Sequence, residues 1–122
     1  MSSPPIRLLL VDDDAMQLEL VERALARDGF EVRGASTLVA LARLAAELRP
    51  ELVMVDVNMP EVPLEHVVAA VREAAPAALV VLYSAWEESK LKKLAHELGA
   101  HGYVSKSESV FSLGPKLRAL AG

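Results

Sequence analysis

The segment Leu52-Val53-Met54-Val55-Asp56-Val57-Asn58-Met59-Pro60 places four consecutive apolar residues ahead of one carboxylate, that of Asp56. Such a run is typical of a strand buried on both faces, as the inner strands of parallel sheets are. We expect Pro60 to end the segment. Because ligands of open parallel α/β sheets bind just outside the carboxyl ends of the strands, Asp56 is a candidate functional residue. The alternative is that Asp56 only caps a turn.

The length and composition describe one domain with a full core. The chain has 122 residues, 52% of them hydrophobic, and no cysteine, which excludes disulfides and thiolate metal sites. No apolar run approaches a membrane span and the first residues lack a signal-peptide pattern, so we expect a cytoplasmic protein without a membrane segment. Thirteen basic and seventeen acidic residues give a net charge of −4. This charge has the wrong sign for gripping phosphate backbones, so we expect no direct DNA binding.

On either side of Asp56, strand and helix patterns alternate. Four further strands are predicted, at Ile6 to Val11, Phe30 to Ala35, Ala78 to Leu82 and Tyr103 to Val104. The second strand alternates apolar and polar residues, as an edge strand does. Apolar residues at helical spacing follow the strands, with stop signals at Gly29 and Gly99. The alternation predicts a single α/β domain, in which a parallel five-stranded sheet has right-handed crossovers and helices on both faces.

Polar side chains follow four of the five predicted strands. They are Asp12, Asp13 and Asp14 after the first strand, Asp56 after the third, Ser84 after the fourth and Lys106 after the fifth. Because the carboxyl ends of parallel strands meet at one edge of a sheet, these groups should lie together. Two carboxylates about 5 Å apart repel by about 3 kcal/mol at an effective dielectric near 20. The cluster therefore predicts a bound cation.

The expected cation is Mg²⁺, which prefers oxygen ligands and commonly joins one or two carboxylates to a phosphate. With Lys106 opposite, the edge has the groups of a phosphoryl-transfer site: metal and ammonium neutralise the phosphoryl oxygens, Ser84 donates a hydrogen bond, and Asp56 is the nucleophile. Each of these features also has a simpler explanation when it is considered alone. Helix capping would explain the acidic triplet, and Ser84 and Lys106 could be an ordinary surface hydroxyl and a solvated lysine. Their joint placement at successive strand ends favours the site.

Three motifs resemble those of the receiver domain of bacterial two-component response regulators. They are Leu9-Leu10-Val11-Asp12-Asp13-Asp14, Val55-Asp56-Val57-Asn58-Met59-Pro60 and Gly99-Ala100-His101-Gly102-Tyr103-Val104-Ser105-Lys106, which look like the acidic-pocket, phosphoacceptor and fifth-strand motifs. The resemblance covers nearly the whole chain. It implies a doubly wound, flavodoxin-like (βα)5 fold with strand order 2-1-3-4-5. Residues 1–122 would form one receiver domain, with no output domain in this chain.

The resemblance also implies roles in the phosphoryl chemistry. Asp12 and Asp13 would form the Mg²⁺ pocket with Asp56, and Asn58 would offer its backbone carbonyl to the metal. Asp56 would accept the phosphoryl group from a sensor histidine kinase or a histidine phosphotransfer protein. Lys106 would pair with the phosphate. Such a domain assists its own phosphotransfer and dephosphorylation without being a dedicated enzyme.

A second set of implied roles concerns signal output. Ser84 would be the switch hydroxyl and Tyr103 the switch aromatic, which relay phosphorylation as a conformational change. The face made of the fourth helix, fifth strand and fifth helix would then contact a downstream effector protein or a second copy in a homodimer.

Three departures from the family pattern surround these residues. The family has Asp-Gly soon after Met-Pro, but this chain reads Glu61-Val62-Pro63-Leu64-Glu65 and offers no glycine for a positive-φ turn. Ser107 stands where the family has proline, which leaves the aim of Lys106 open. Gly114-Pro115 requires the fifth helix either to start late, with Pro115 in its first turn, or to be kinked.

Two other interpretations remain open. The triplet after the first strand also fits the Asp-x-Asp motif of haloacid-dehalogenase-type phosphatases, with Asp12 as nucleophile and Asp14 as general acid. That interpretation leaves Asp56 unexplained and lacks a downstream acidic metal motif. The stronger alternative is a receiver-like module that binds a partner without being phosphorylated, because such a domain could accumulate the altered loop and the missing proline.

Overall fold

Five parallel strands form one sheet in the computed structural model, which describes residues 4–59, 62–106 and 109–122. The strands are β1 (Ile6–Val11), β2 (Phe30–Ala35), β3 (Leu52–Asp56), β4 (Leu79–Ser84) and β5 (Gly102–Ser105). Their order is β2-β1-β3-β4-β5, and each neighbouring pair is parallel. This order confirms the predicted fold. Every residue of β3 is buried, as its uninterrupted apolar run predicts.

Helices cover both faces of this sheet. They are α1 (Ala15–Ala26), α2 (Leu38–Leu48), α3 (Leu64–Ala74), α4 (Glu88–Leu98) and α5 (Leu113–Ala121), and a 3-10 turn at Val110–Ser112 precedes α5. One half of the core lies beneath α2, α3 and α4, and the other beneath α1 and α5. None of these helices, in the part of the chain that the structure describes, is long and apolar enough to span a membrane.

The helix boundaries follow from local chemistry. The carboxylate of Asp14 begins α1 by accepting the backbone N–H groups of the first turn, and the hydroxyl of Thr37 does the same for α2. Gly99 ends α4 in the left-handed conformation, with φ of 68°, as predicted. At the end of α2 the same conformation falls on Arg49, with φ of 52°. A non-glycine residue there is unusual and was not foreseen from the break at Pro50.

The Gly114-Pro115 pair is accommodated at the start of α5. The helix begins at Leu113, so Pro115 lies in its first turn, where its missing N–H costs no helical hydrogen bond. This confirms the first of the two predicted alternatives. Gly114 is buried, and a Cβ atom there would collide with the carboxylate of Asp28. Glycine therefore allows α5 to pack closely against the turn that follows α1.

Strand alternation sets the direction of each side chain at the functional edge. In β1, β3 and β4, the buried residues Leu10, Met54 and Tyr83 face α1 and α5, so the alternate positions Asp12 and Asp56 face the same side. Ser84 directly follows Tyr83 and faces the α3 and α4 side. The carboxylates and the serine hydroxyl therefore approach the edge from opposite sides of the sheet.

Candidate functional site

The centre of the site is an ion pair between Asp56 and Lys106. Asp56 ends β3 and is 4% exposed. The ammonium of Lys106 lies 3.2 Å from Asp56 Oδ1, and the same oxygen accepts a hydrogen bond from the backbone N–H of Asn58 at 3.1 Å. Asp56 therefore caps its turn, as the simpler interpretation held, and also faces a cation. Lys106 is aimed at Asp56 in a chain whose next residue, Ser107, is not proline.

Several residues of the sequence argument fall outside the described ranges. Pro60 and Glu61, in the loop that departs from the family pattern, and Ser107 belong to this group. The predicted end of the segment at Pro60 is therefore untested. The strand itself ends at Asp56, and α3 begins after Pro63 at its N-cap.

The three aspartates after β1 have different environments. Asp12 is fully buried, and its Oδ1 accepts the backbone N–H of Asp14 at 3.0 Å. Its second oxygen, Oδ2, has no hydrogen-bond partner among the described residues. Asp13 is exposed beside it. Asp14 caps α1 by accepting the backbone N–H of Met16 at 2.9 Å, so helix capping explains this member of the triplet.

Burial makes the charged form of Asp12 unfavourable. Burial, with a smaller contribution from the neighbouring charge of Asp56, raises the pKa of this carboxyl from 3.8 to about 6. The backbone N–H of Asp14 and the ammonium of Lys106 act in the opposite direction but do not offset the burial. A buried carboxylate that resists ionisation beside a second carboxylate is a place where a cation stabilises the protein.

The donor atoms at this position suit Mg²⁺. Carboxylate oxygens of Asp12, Asp13 and Asp56 all lie within 4.8 Å of one another. A buried oxygen without a donor, in a set made only of oxygens, fits a hard divalent cation. Asn58 is exposed two residues beyond Asp56, and the role of its backbone carbonyl stays a prediction.

The two predicted switch residues lie on the α4 side of the edge. Ser84 is fully buried, and its Oγ accepts the backbone N–H of Trp86 at 3.0 Å. The half-buried Tyr103 donates its hydroxyl to Glu88 Oε1 at 3.3 Å, at a cavity of about 380 Å³ that is also lined by Trp86. Trp86 is 39% exposed, and the Lys90 ammonium lies 5.6 Å from its ring centroid. The ring therefore covers the first turn of α4.

Sequence reasoning missed Tyr83, which lies beside the ion pair, and Gln17, which contacts Tyr83. The ring of Tyr83 is buried, and the ammonium of Lys106 lies 5.0 Å from its centroid. Gln17, on α1, donates its Nε2–H to the Tyr83 hydroxyl at 3.1 Å. Residue alternation was the available signal, because a residue next to Ser84 in β4 must face the opposite side, where Asp12 and Asp56 lie.

His101 is exposed and directly precedes β5. Its Nδ1 accepts the backbone N–H of Val80 at 2.9 Å. The imidazole therefore satisfies a strand donor at the start of β4, next to the turn that leads into β5.

The sheet order and the aspartate-lysine edge define a receiver domain, and the chain belongs to this family: the response regulator receiver domain model matches residues 8–117. Among relatives, the transcriptional regulatory protein PrrA of Mycobacterium leprae is 35% identical over 119 residues, which are 98% of this chain and 50% of PrrA. Protein-glutamate methylesterase/protein-glutamine glutaminase 5 of Myxococcus xanthus is 36% identical, over 94% of this chain and 35% of that protein. The chain thus spans half or less of these relatives.

The solved structure of chemotaxis response regulator CheY4 of Vibrio cholerae superposes with a TM-score of 0.80. It is 26% identical and covers 95% of this chain and 98% of CheY4. These matches confirm the family expected from the three motifs. The phosphatase interpretation loses its support, since its general acid, Asp14, is occupied as a helix cap.

Proposed function

We propose that Asp56 accepts a phosphoryl group in an Mg²⁺-dependent reaction, and that the domain passes this signal to a partner. The observation that supports the proposal is the Asp56–Lys106 pair at 3.2 Å, beside a buried Asp12 oxygen without a hydrogen bond. A carboxylate nucleophile with one cation in place and the ligands for a second is what phosphoryl transfer requires.

The tasks of this reaction are divided among four side chains. An Asp56 oxygen forms a bond to phosphorus while the bond from phosphorus to the donor's leaving atom breaks. Lys106 follows the transferred group and balances its negative charge. Asp12, Asp13 and Asp56 would hold Mg²⁺, which supplies positive charge to the phosphoryl oxygens when bound. The donor would be a sensor histidine kinase or a histidine phosphotransfer protein.

The signal would leave through Ser84 and Tyr103. Ser84 Oγ accepts the Trp86 N–H at 3.0 Å, and its own proton is free to turn toward a phosphoryl oxygen on Asp56. Movement of Ser84 inward would make room for the Tyr103 ring, whose contact with Glu88 would then be lost. The α4, β5 and α5 face would change shape in consequence and bind an effector or a second copy.

Family membership supports a signalling domain rather than a dedicated enzyme. Because the PrrA relative is named a transcriptional regulatory protein and is about twice as long, the absence of direct DNA binding is proposed for this domain alone. Cytoplasmic localisation also remains a prediction.

Intact-mass measurement after incubation with acetyl phosphate tests the proposal. We expect one acid-labile phosphoryl group, acquired only with Mg²⁺ and absent in Asp56→Asn. Asp14→Asn is the matched control, because it removes an adjacent carboxylate that caps α1 and should still be labelled. An unchanged mass of the folded, metal-loaded wild type would favour the phosphorylation-independent module. A label that survives Asp56→Asn but disappears in Asp12→Asn would favour the phosphatase interpretation.

A further inference from the structure

Tyr83 makes two contacts that the proposed phosphoryl transfer does not use. Its ring is buried in the core half beneath α1 and α5, yet the ammonium of Lys106 lies 5.0 Å from the ring centroid. Its hydroxyl accepts a hydrogen bond of 3.1 Å from Gln17 on α1. An apolar residue would be sufficient to fill this core, as Val81 and Val104 do beside it. The contacts of the ring face and of the hydroxyl therefore indicate that Tyr83 does more than fill the core.

The Lys106 side chain needs restraint at this position. It is long and flexible, and a lysine side chain loses rotamer entropy when it is fixed. Ser107 follows it, and serine does not fix the backbone as the ring of proline would. The ammonium contacts Asp56 Oδ1 at 3.2 Å and lies 5.0 Å from the centroid of the Tyr83 ring. Unlike the ion pair, the ring contact does not involve the nucleophile itself.

We propose that Tyr83 is a positioning residue of the phosphoacceptor site: its ring face holds the Lys106 ammonium beside Asp56, and Gln17 fixes the ring from α1. This inference rests on the proposed function. When Asp56 acquires a phosphoryl group, Lys106 has to leave Oδ1 and follow the new oxygens. A cation over an aromatic face is attracted to the ring as a whole, so the contact persists through a small shift.

The hydroxyl of Tyr83 is not the reacting group. Burial raises its pKa above the ordinary value of 10.0, and the charges of Asp12 and Asp56 raise it further, so it stays protonated at neutral pH. It is therefore no base and adds no negative charge beside the carboxylates. The hydrogen bond from Gln17 to the hydroxyl orients the ring, and the face of the ring contacts the Lys106 ammonium.

The test is a double-mutant cycle read out by calorimetric titration with beryllofluoride, a phosphoryl mimic, in the presence of Mg²⁺. Tyr83→Leu should weaken beryllofluoride binding between about threefold and thirtyfold, the range of a partly buried cation–π contact. Tyr83→Phe, which keeps the ring, should stay within about threefold of wild type. In the Lys106→Ala background, Tyr83→Leu should cause no further loss, because its effect acts through the ammonium. The affinity for Mg²⁺ alone should stay unchanged in all Tyr83 variants.

The opposite results are equally clear. An equal loss from Tyr83→Leu with and without Lys106 would assign Tyr83 to packing and overturn the inference, while beryllofluoride binding by the wild type would leave the proposed function standing. Failure of the wild type to bind beryllofluoride would overturn both. If Tyr83→Leu does not fold, the wild-type protein still provides a test. The ε-methylene protons of Lys106 should resonate upfield of those of an exposed lysine such as Lys92, and an unshifted signal would overturn the inference.

Discussion

The Lys106 ammonium contacts Asp56 Oδ1 at 3.2 Å, across a separation of 50 positions in sequence, and both side chains are largely withdrawn from solvent. A pair of this kind is costly to break from one side, because the remaining charge stays buried without a partner. The relationship therefore ties the stability of the domain to the groups that we propose for its chemistry.

Lys106→Met should destabilise the metal-free domain by about 1 to 3 kcal/mol, because it leaves the Asp56 carboxylate unpaired. In the Asp56→Asn background the same substitution should cost much less, since no charge remains to be balanced. Urea unfolding of the four proteins gives the coupling energy. Equal losses in the two backgrounds would show that the pair contributes nothing beyond packing.

Mg²⁺ should raise the melting temperature of the wild type, since a ligand of the native state stabilises it by about 2.7 kcal/mol at a hundredfold excess over the dissociation constant. Asp13→Asn should shrink this rise, because it removes one of the three clustered carboxylates. Asp14→Asn keeps a side-chain oxygen that can cap α1, so it should change the melting temperature little and keep the full Mg²⁺-induced rise. Identical melting temperatures with and without Mg²⁺ would contradict the assignment of a metal pocket to these carboxylates.

The stability of the metal-free domain should depend on pH through Asp12. Burial raises its pKa from 3.8 to about 6, so between these values the native state holds a proton that the unfolded chain releases. The free energy of unfolding should therefore fall as pH rises through this window, by about 3 kcal/mol for this residue. The measurement is the difference in the free energy of unfolding between wild type and Asp12→Asn as a function of pH, which removes the contribution of the other carboxylates. Parallel pH profiles for the two proteins would contradict the assignment.

Beryllofluoride with Mg²⁺ should change the fluorescence of Trp86, the only tryptophan of the chain. The reason is that the Trp86 backbone N–H donates to Ser84 Oγ at 3.0 Å, so rotation of the hydroxyl disturbs its neighbour. Ser84→Ala should strongly reduce the change while binding itself persists. Backbone amide shifts confined to the metal ligands, with none around Tyr103 or α5, would show an intact site without this switch.

Most of the fold could be predicted from local sequence signals. The uninterrupted apolar run of β3, the stop at Gly99 and the placement of Pro115 in a first turn each follow from the chemistry of a few adjacent residues. Strand order was not available in this way, because it depends on contacts between distant segments, and it came from the resemblance. The left-handed Arg49 was missed since its conformation is imposed by the chain turning between α2 and β3.

Part of the site could also be predicted from local sequence signals. Strand ends identify Asp12, Asp56 and Lys106, because parallel strands bring their carboxyl ends to one edge. Gln17 and Tyr83 could not be paired from sequence, since 66 positions separate them and their meeting depends on the packing of α1 against the sheet. Capping by Asp14 was one of two open explanations, and only the geometry chose between them.

The most direct measurement locates the phosphoryl group itself. The domain is incubated with acetyl phosphate and Mg²⁺, the acyl phosphate is reduced with borohydride, and the digested peptides are analysed by mass spectrometry. The account predicts homoserine at position 56 and at no other position, in an amount that falls to background when Mg²⁺ is removed. Reduction at position 12, or no reduced aspartate in a folded and metal-loaded domain, would contradict the claim that Asp56 is the phosphoacceptor.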